Sequence, residues 1–86
     1  MEINSLIKIL KEKLTKKIKI SNIKIEDKSF LHKKHQNFDK NKFHIKLTIE
    51  SSELRKVSSI EANRKIYDIL KDEMNRSVHS LQIIIV

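Results

Sequence analysis

The chain is 86 residues long with a net charge of +8, and a single domain over residues 1–86 is expected. It contains no Cys, which excludes a disulfide framework, a thiolate nucleophile, an all-thiolate zinc site and a self-contained iron–sulfur site. Nor does it contain Gly, which excludes a phosphate-cradling P-loop, a GxGxxG dinucleotide turn and a GxxG nucleic-acid clamp. The longest unbroken apolar run, Ile83 to Val86, is far shorter than a membrane span, and the N-terminus lacks the apolar block and cleavage site of a signal peptide. A cytoplasmic protein with no membrane partner is therefore expected. Of the basic residues 16 are Lys, and only Arg55, Arg64 and Arg76 are Arg. Lys, Ile and Asn share A/T-rich codons, so an A/T-rich genome is enough to produce much of this bias. The even spread of Lys reads as a solvated surface rather than a dedicated nucleic-acid arm.

Ile3, Leu6, Ile7, Leu10 and Leu14 recur at helical spacing and predict a first helix over 2–17. Glu2 in its first turn and Lys16 and Lys17 in its last suit the helix macrodipole. The period then falls to two, and Ile23 and Ile25 predict a strand over 22–28. Residues 29–41 have no clean period and read as a long polar loop, the kind that tends to carry function. Phe43, Ile45, Leu47 and Ile49 alternate strictly with His44, Lys46, Thr48 and Glu50, which predicts a second strand with one buried and one wet face. His44 falls on the wet face and is expected to point to solvent.

Ser51 to Glu53 reads as a turn, and Leu54 to Val57 as a short helical or irregular link. Ser58-Ser59-Ile60-Glu61 is a capping box opening a helix over 59–74, whose apolar stripe is Ile60, Ile66, Tyr67, Leu70 and Met74, with Ala62 and Ile69 near its edges. The β-branched tail from Val78 predicts a third strand with His79, Leu81, Ile83 and Ile85 on one face. The expected fold class is α+β in the order α-β-β-α(short)-α-β: a three-stranded mixed sheet with helices on one face. Leu6, Leu10, Leu14, Tyr67 and Leu70 are expected to meet Ile25, Ile45, Leu47 and Leu81 in the core.

Groups able to do chemistry are few. Asp68 and Asp72 lie one helical turn apart beside Lys65 and Lys71 and read as surface charges. The Ser pairs lack the strand-to-helix elbow of a nucleophile, so an enzyme is not expected. The histidines are His32 and His35 in the long loop, His44, and His79 at the start of the third strand. A strand's start lies beside the loops at the same end of its sheet, so His79 and the 29–41 loop stand to meet there. Two imidazoles at one edge make a partial metal site that needs ligands from elsewhere.

Arg64-Lys65-Ile66-Tyr67 through Leu70 and Asp72-Glu73, followed by Val78-His79-Ser80-Leu81-Gln82-Ile83, resembles the BolA family, which carries an Arg-x-x-Tyr-x-x-Leu-x-x-Glu helix before a Val/Ile-His-Ala-Leu strand. Asp27-Lys28-Ser29 with His32 is similar to the family's Asp-Glu-Ser-x-x-His, and Phe43 matches its strand-opening aromatic. The resemblance spans about residues 20–86. It departs at Leu54-Arg55-Lys56-Val57-Ser58, where the family has Phe-x-Gly-x-Ser, and at Lys42, where it has His.

The resemblance implies a fold similar to class II KH domains and a non-enzymatic partner role. It implies a chain that is a monomer without cofactor when alone. With a monothiol glutaredoxin it would form a heterodimer sharing a bridged 2Fe–2S cluster in iron–sulfur trafficking or iron regulation. The glutaredoxin and glutathione supply thiolates and this chain supplies histidine: His79 by motif match, with His32 in the loop and His35 as its substitute. The alternative is a DNA-binding transcriptional regulator, in which Arg55 and Lys56 stand where a KH-type loop meets phosphates and Arg64 and Lys65 follow on the next helix.

Overall fold

The structure, a computed structural model, describes residues 2–29 and 42–86. Helix α1, Ile3–Lys17, turns Leu6, Leu10 and Leu14 inward. It ends where Ile18 turns to extended backbone, its N–H still donating to the Leu14 carbonyl at 2.9 Å. Strand β1, Asn22–Asp27, pairs antiparallel with β2, Phe43–Glu50, from Asn22 opposite Glu50 to Asp27 opposite Ile45. Strand β3, Val78–Ile85, lies parallel on the other side of β2, so the mixed sheet runs β1-β2-β3. Parallel pairing requires the chain to cross from one end of the sheet to the other. That crossing is made by α2, Ser52–Arg55, α3, Ser59–Ile69, and α4, Lys71–Arg76.

Central strand β2 shows why one face is covered. Ile45, Leu47 and Ile49 are buried against Leu6, Leu10, Leu14, Ala62, Ile66 and Leu70 of the helices, while Lys46 and Thr48, one residue out of phase, are only half-buried. Ser51 caps α2, accepting from the Leu54 N–H at 3.2 Å and donating to the Lys19 carbonyl at 2.7 Å, which ties the turn after β2 to the approach to β1. Ser58 caps α3 by accepting from the Glu61 N–H at 3.1 Å, the hydroxyl half of the expected box.

Three expectations about the second half are corrected. The helix predicted over 59–74 is two segments meeting at Leu70, whose φ of −97° and ψ of 17° depart from helical values. Its hydrogen bonds continue through the break, from Leu70 N–H to the Ile66 carbonyl and from Met74 N–H to the Leu70 carbonyl, so this is a bend and the helix extends to Arg76. Second, the buried stripe is Ala62, Ile66, Leu70 and Glu73, and Ile60 stands 65% exposed. Third, Tyr67 lies outside the core: it is exposed, with its hydroxyl donating to the Leu81 carbonyl at 3.2 Å, and it fastens α3 to β3 from the rim.

Glu73 is drawn inward by Lys13, whose Nζ reaches both carboxylate oxygens at 3.0 and 2.8 Å and joins α1 to α4 across 60 residues of sequence. Removing one partner of a buried charge leaves the other unsatisfied. Lys13→Ala is expected to lower stability by about 1–2 kcal/mol, less than for a fully enclosed pair because Lys13 is part-exposed. Urea titration checks this: Glu73→Gln combined with Lys13→Ala should cost less than Lys13→Ala alone. No helix among the described residues is long and apolar enough to cross a membrane.

Candidate functional site

The apolar residues of β3 contain a parity conflict. Val78 and Leu81 are three apart, so in a regular strand they fall on opposite faces, yet Val78 is buried and Leu81 packs against the core. One extra residue resolves it. Phe43 pairs with Val78, but His44 pairs with Ser80, so His79 is the unpaired residue of a β-bulge. From there Leu81, Ile83 and Ile85 face the core opposite Ile45, Leu47 and Ile49, while Ser80, Gln82 and Ile84 follow His44, Lys46 and Thr48. Bulges are rare in parallel pairs and tend to re-aim a side chain near a functional site.

His79 is therefore off the face of Leu81, which corrects the expected alternation. It is exposed, and its ring lies against the ring of His44 with centroids 4.8 Å apart and planes tilted by 57°. His44 corrects a second expectation: it is 8% exposed, although it occupies the phase of the face opposite the helices. The His44 Nδ1 and the Ser80 hydroxyl share a hydrogen bond of 2.6 Å. The His44 N–H donates to the Ser29 hydroxyl at 3.1 Å, and its carbonyl accepts from the Lys28 N–H at 2.7 Å. Ser29 is fixed in turn by its own N–H donating to Asp27 Oδ1 at 2.9 Å.

The ends of β1, β2 and β3 thus converge on His44 and His79. His32 and His35 lie outside the described residues, but the segment that carries them leaves from Ser29 and returns at Lys42, the end of the sheet where His79 stands. Among the described residues no three His, Cys, Asp or Glu side chains gather to hold a metal ion. What they offer there is one exposed imidazole on the bulge of β3. On the face opposite the helices Glu26 is partly desolvated, yet the hydrogen bond from Lys28 and the charges of Lys24, Lys28 and Lys46 hold its carboxyl below the usual range.

The sequence-predicted basic residues lie elsewhere. Helix α2 follows the C-terminal end of β2, so Arg55 and Lys56 follow the opposite end of the sheet from His79. Both are exposed, as is Arg64 on α3. Lys65 is tied to the Glu53 carboxylate at 2.5 Å, and this bond, with the Lys19 N–H, holds Glu53 below the usual carboxylate range. A shallow groove of about 420 Å³ lined by Lys13, Lys16, Lys17, Asp68 and Ile69 adds basic surface that the sequence reading did not assign. The lysines of α1 and the residues of α3 meet there only through the tertiary fold.

A helix-backed, three-stranded mixed sheet with an exposed histidine at the start of its last strand defines a small α+β domain. The family model for BolA-like proteins matches residues 14–86, and the chain belongs to that family. It is 27% identical over 77 residues to the DNA-binding transcriptional regulator BolA of Haemophilus influenzae, covering 90% of this chain and 72% of the relative. With SufE-like protein 1 of Arabidopsis thaliana it shares 31% identity over 80 residues, 87% of this chain but only 22% of that longer protein. Among solved structures, the BolA domain of SufE1 from the same plant superposes with a TM-score of 0.78 at 29% identity, covering 99% of this chain and 92% of the other. BolA1 from Arabidopsis thaliana gives a TM-score of 0.76 at 26% identity, covering 91% and 86%. The three-stranded mixed sheet expected from the sequence is the sheet of these domains.

Proposed function

We propose that this chain is a non-enzymatic partner of a monothiol glutaredoxin and contributes His79 to a 2Fe–2S cluster shared between the two. The observation that carries the reading is the exposed His79 imidazole on the bulge of β3, at the sheet end from which the segment bearing His32 and His35 departs. A chain without Cys cannot supply the thiolates of a cluster. The partner and glutathione supply them, and His79, with His32 or His35, completes the set. Histidine in place of thiolate lowers the negative charge around the iron and raises its potential. The proposed setting is iron–sulfur trafficking or iron regulation in the cytoplasm, with the chain monomeric and cofactor-free when alone. Anaerobic titration of the chain into a cluster-loaded monothiol glutaredoxin, followed by visible absorption and circular dichroism, tests the reading. A new spectrum saturating at one chain per glutaredoxin supports it, and spectra that merely add refute it.

The alternative is nucleic-acid binding, favoured by the DNA-binding relative and by the exposed Arg55, Lys56 and Arg64. Lysine-rich surfaces bind phosphates by releasing counterions and carry little base readout. DNA affinity should therefore fall by about 10³-fold or more between 50 and 200 mM salt if some six phosphates are contacted. Gel shifts at those two salt concentrations decide, and a sequence-selective complex that persists at the higher one would reverse the ranking.

A further inference from the structure

We propose that His44 is a positioning residue that holds the His79 imidazole in one orientation; this rests on the reading of His79 as a metal ligand. The two rings are in contact, 4.8 Å between centroids, but their surroundings differ. His79 is exposed on an unpaired bulge residue, where nothing in the sheet ladder fixes its side chain. His44 is 8% exposed; among the described residues its ring is held by the hydrogen bond between Nδ1 and the Ser80 hydroxyl, and its backbone by the N–H to the Ser29 hydroxyl and the carbonyl to the Lys28 N–H. The held ring therefore acts as a wall for the free one. Ser80 takes part because the bulge brings it opposite His44, and the same extra residue releases His79 to lie over that ring.

Burial separates the two roles. A metal carried in by a partner meets the exposed imidazole first, and His44 lies behind it. Partners that orient a ligand tune a metal site without touching the metal, and their loss typically costs about 10–100-fold in affinity or activity. His44 is a residue of this kind acting through ring contact, and it reduces the rotamer freedom that His79 would otherwise lose on ligation.

The test begins with the isolated chain. Side-chain NMR of wild type should show His79 in a single χ1 rotamer, with ring protons shifted by the neighbouring aromatic. His44→Ala should give averaged couplings and remove the shift, whereas His44→Phe, which keeps a ring, should restore the single rotamer. Should His44→Ala fail to fold, Ser80→Ala leaves the core intact and should broaden the His79 rotamer distribution in the same direction. Unchanged couplings and shifts in the variant that folds overturn the proposal. In the glutaredoxin complex, His44→Ala should retain histidine ligation but lose the cluster about tenfold faster. Loss of histidine ligation itself would make His44 a ligand and overturn the positioning role. If the wild-type complex assembles no cluster while His79 remains ordered as described, the ligand reading falls and the ordering by His44 stands.

Discussion

His79→Ala, mixed with a monothiol glutaredoxin, is expected to abolish the circular dichroism of the shared cluster while leaving the fold intact. His79 lies on the bulge of β3 and contributes nothing to the partly buried stripe of Leu81, Ile83 and Ile85, so a change there alters the proposed site and spares the core. Thermal unfolding of the variant should shift by no more than a few degrees, as expected of exposed substitutions within about 0.5 kcal/mol. His32→Ala and His35→Ala then identify the loop partner: one of them should weaken the same signal and the other should leave it unchanged.

Leu47→Ala is expected to be the most damaging single truncation in the core. Leu47 is fully buried at the middle of the central strand, between Ile25 of β1 and Ile83 of β3. Loss of a buried leucine with incomplete collapse costs about 3–5 kcal/mol. A chain of this length holds roughly 4–13 kcal/mol in all, so the substitution should remove a large fraction of the stability. Urea titration monitored at 222 nm should show its midpoint falling by a large fraction, whereas Thr48→Ala, next along β2 on the other face, should stay within about 1 kcal/mol. Equal losses at the two positions would mean that the two faces of the sheet are not distinguished as described.

Strong periodicity made most of the fold legible. The alternation from Phe43 to Ile49 marks β2 and its buried face, and the spacing of Leu6, Leu10 and Leu14 marks α1. Errors arose where one residue satisfies two patterns. Ile60 and Tyr67 fit a helical stripe by type, but Ala62, Ile66 and Leu70 occupy it, while Tyr67 carries its hydroxyl to the rim. The bend at Leu70 leaves no mark in a sequence without Gly or Pro, because its hydrogen-bond ladder continues through it.

At the candidate site, the resemblance rather than the chemistry of an imidazole singles out His79 as a candidate. His44 was misread for a specific reason. Alternation correctly gave its phase, but phase predicts exposure only for a regular sheet. The signal that could have exposed the error is the three-residue spacing of Val78 and Leu81. It forces a bulge, and the bulge brings His79 and Ser80 over His44.

The central claim is that a nitrogen of His79 binds iron. The most direct measurement is nitrogen hyperfine spectroscopy of the reduced cluster in the complex, with this chain labelled with ¹⁵N-histidine and the glutaredoxin unlabelled. Strong ¹⁵N coupling that disappears in His79→Ala is predicted. A cluster whose spectrum shows no coupling to the labelled chain, or one unchanged by His79→Ala, would contradict the account.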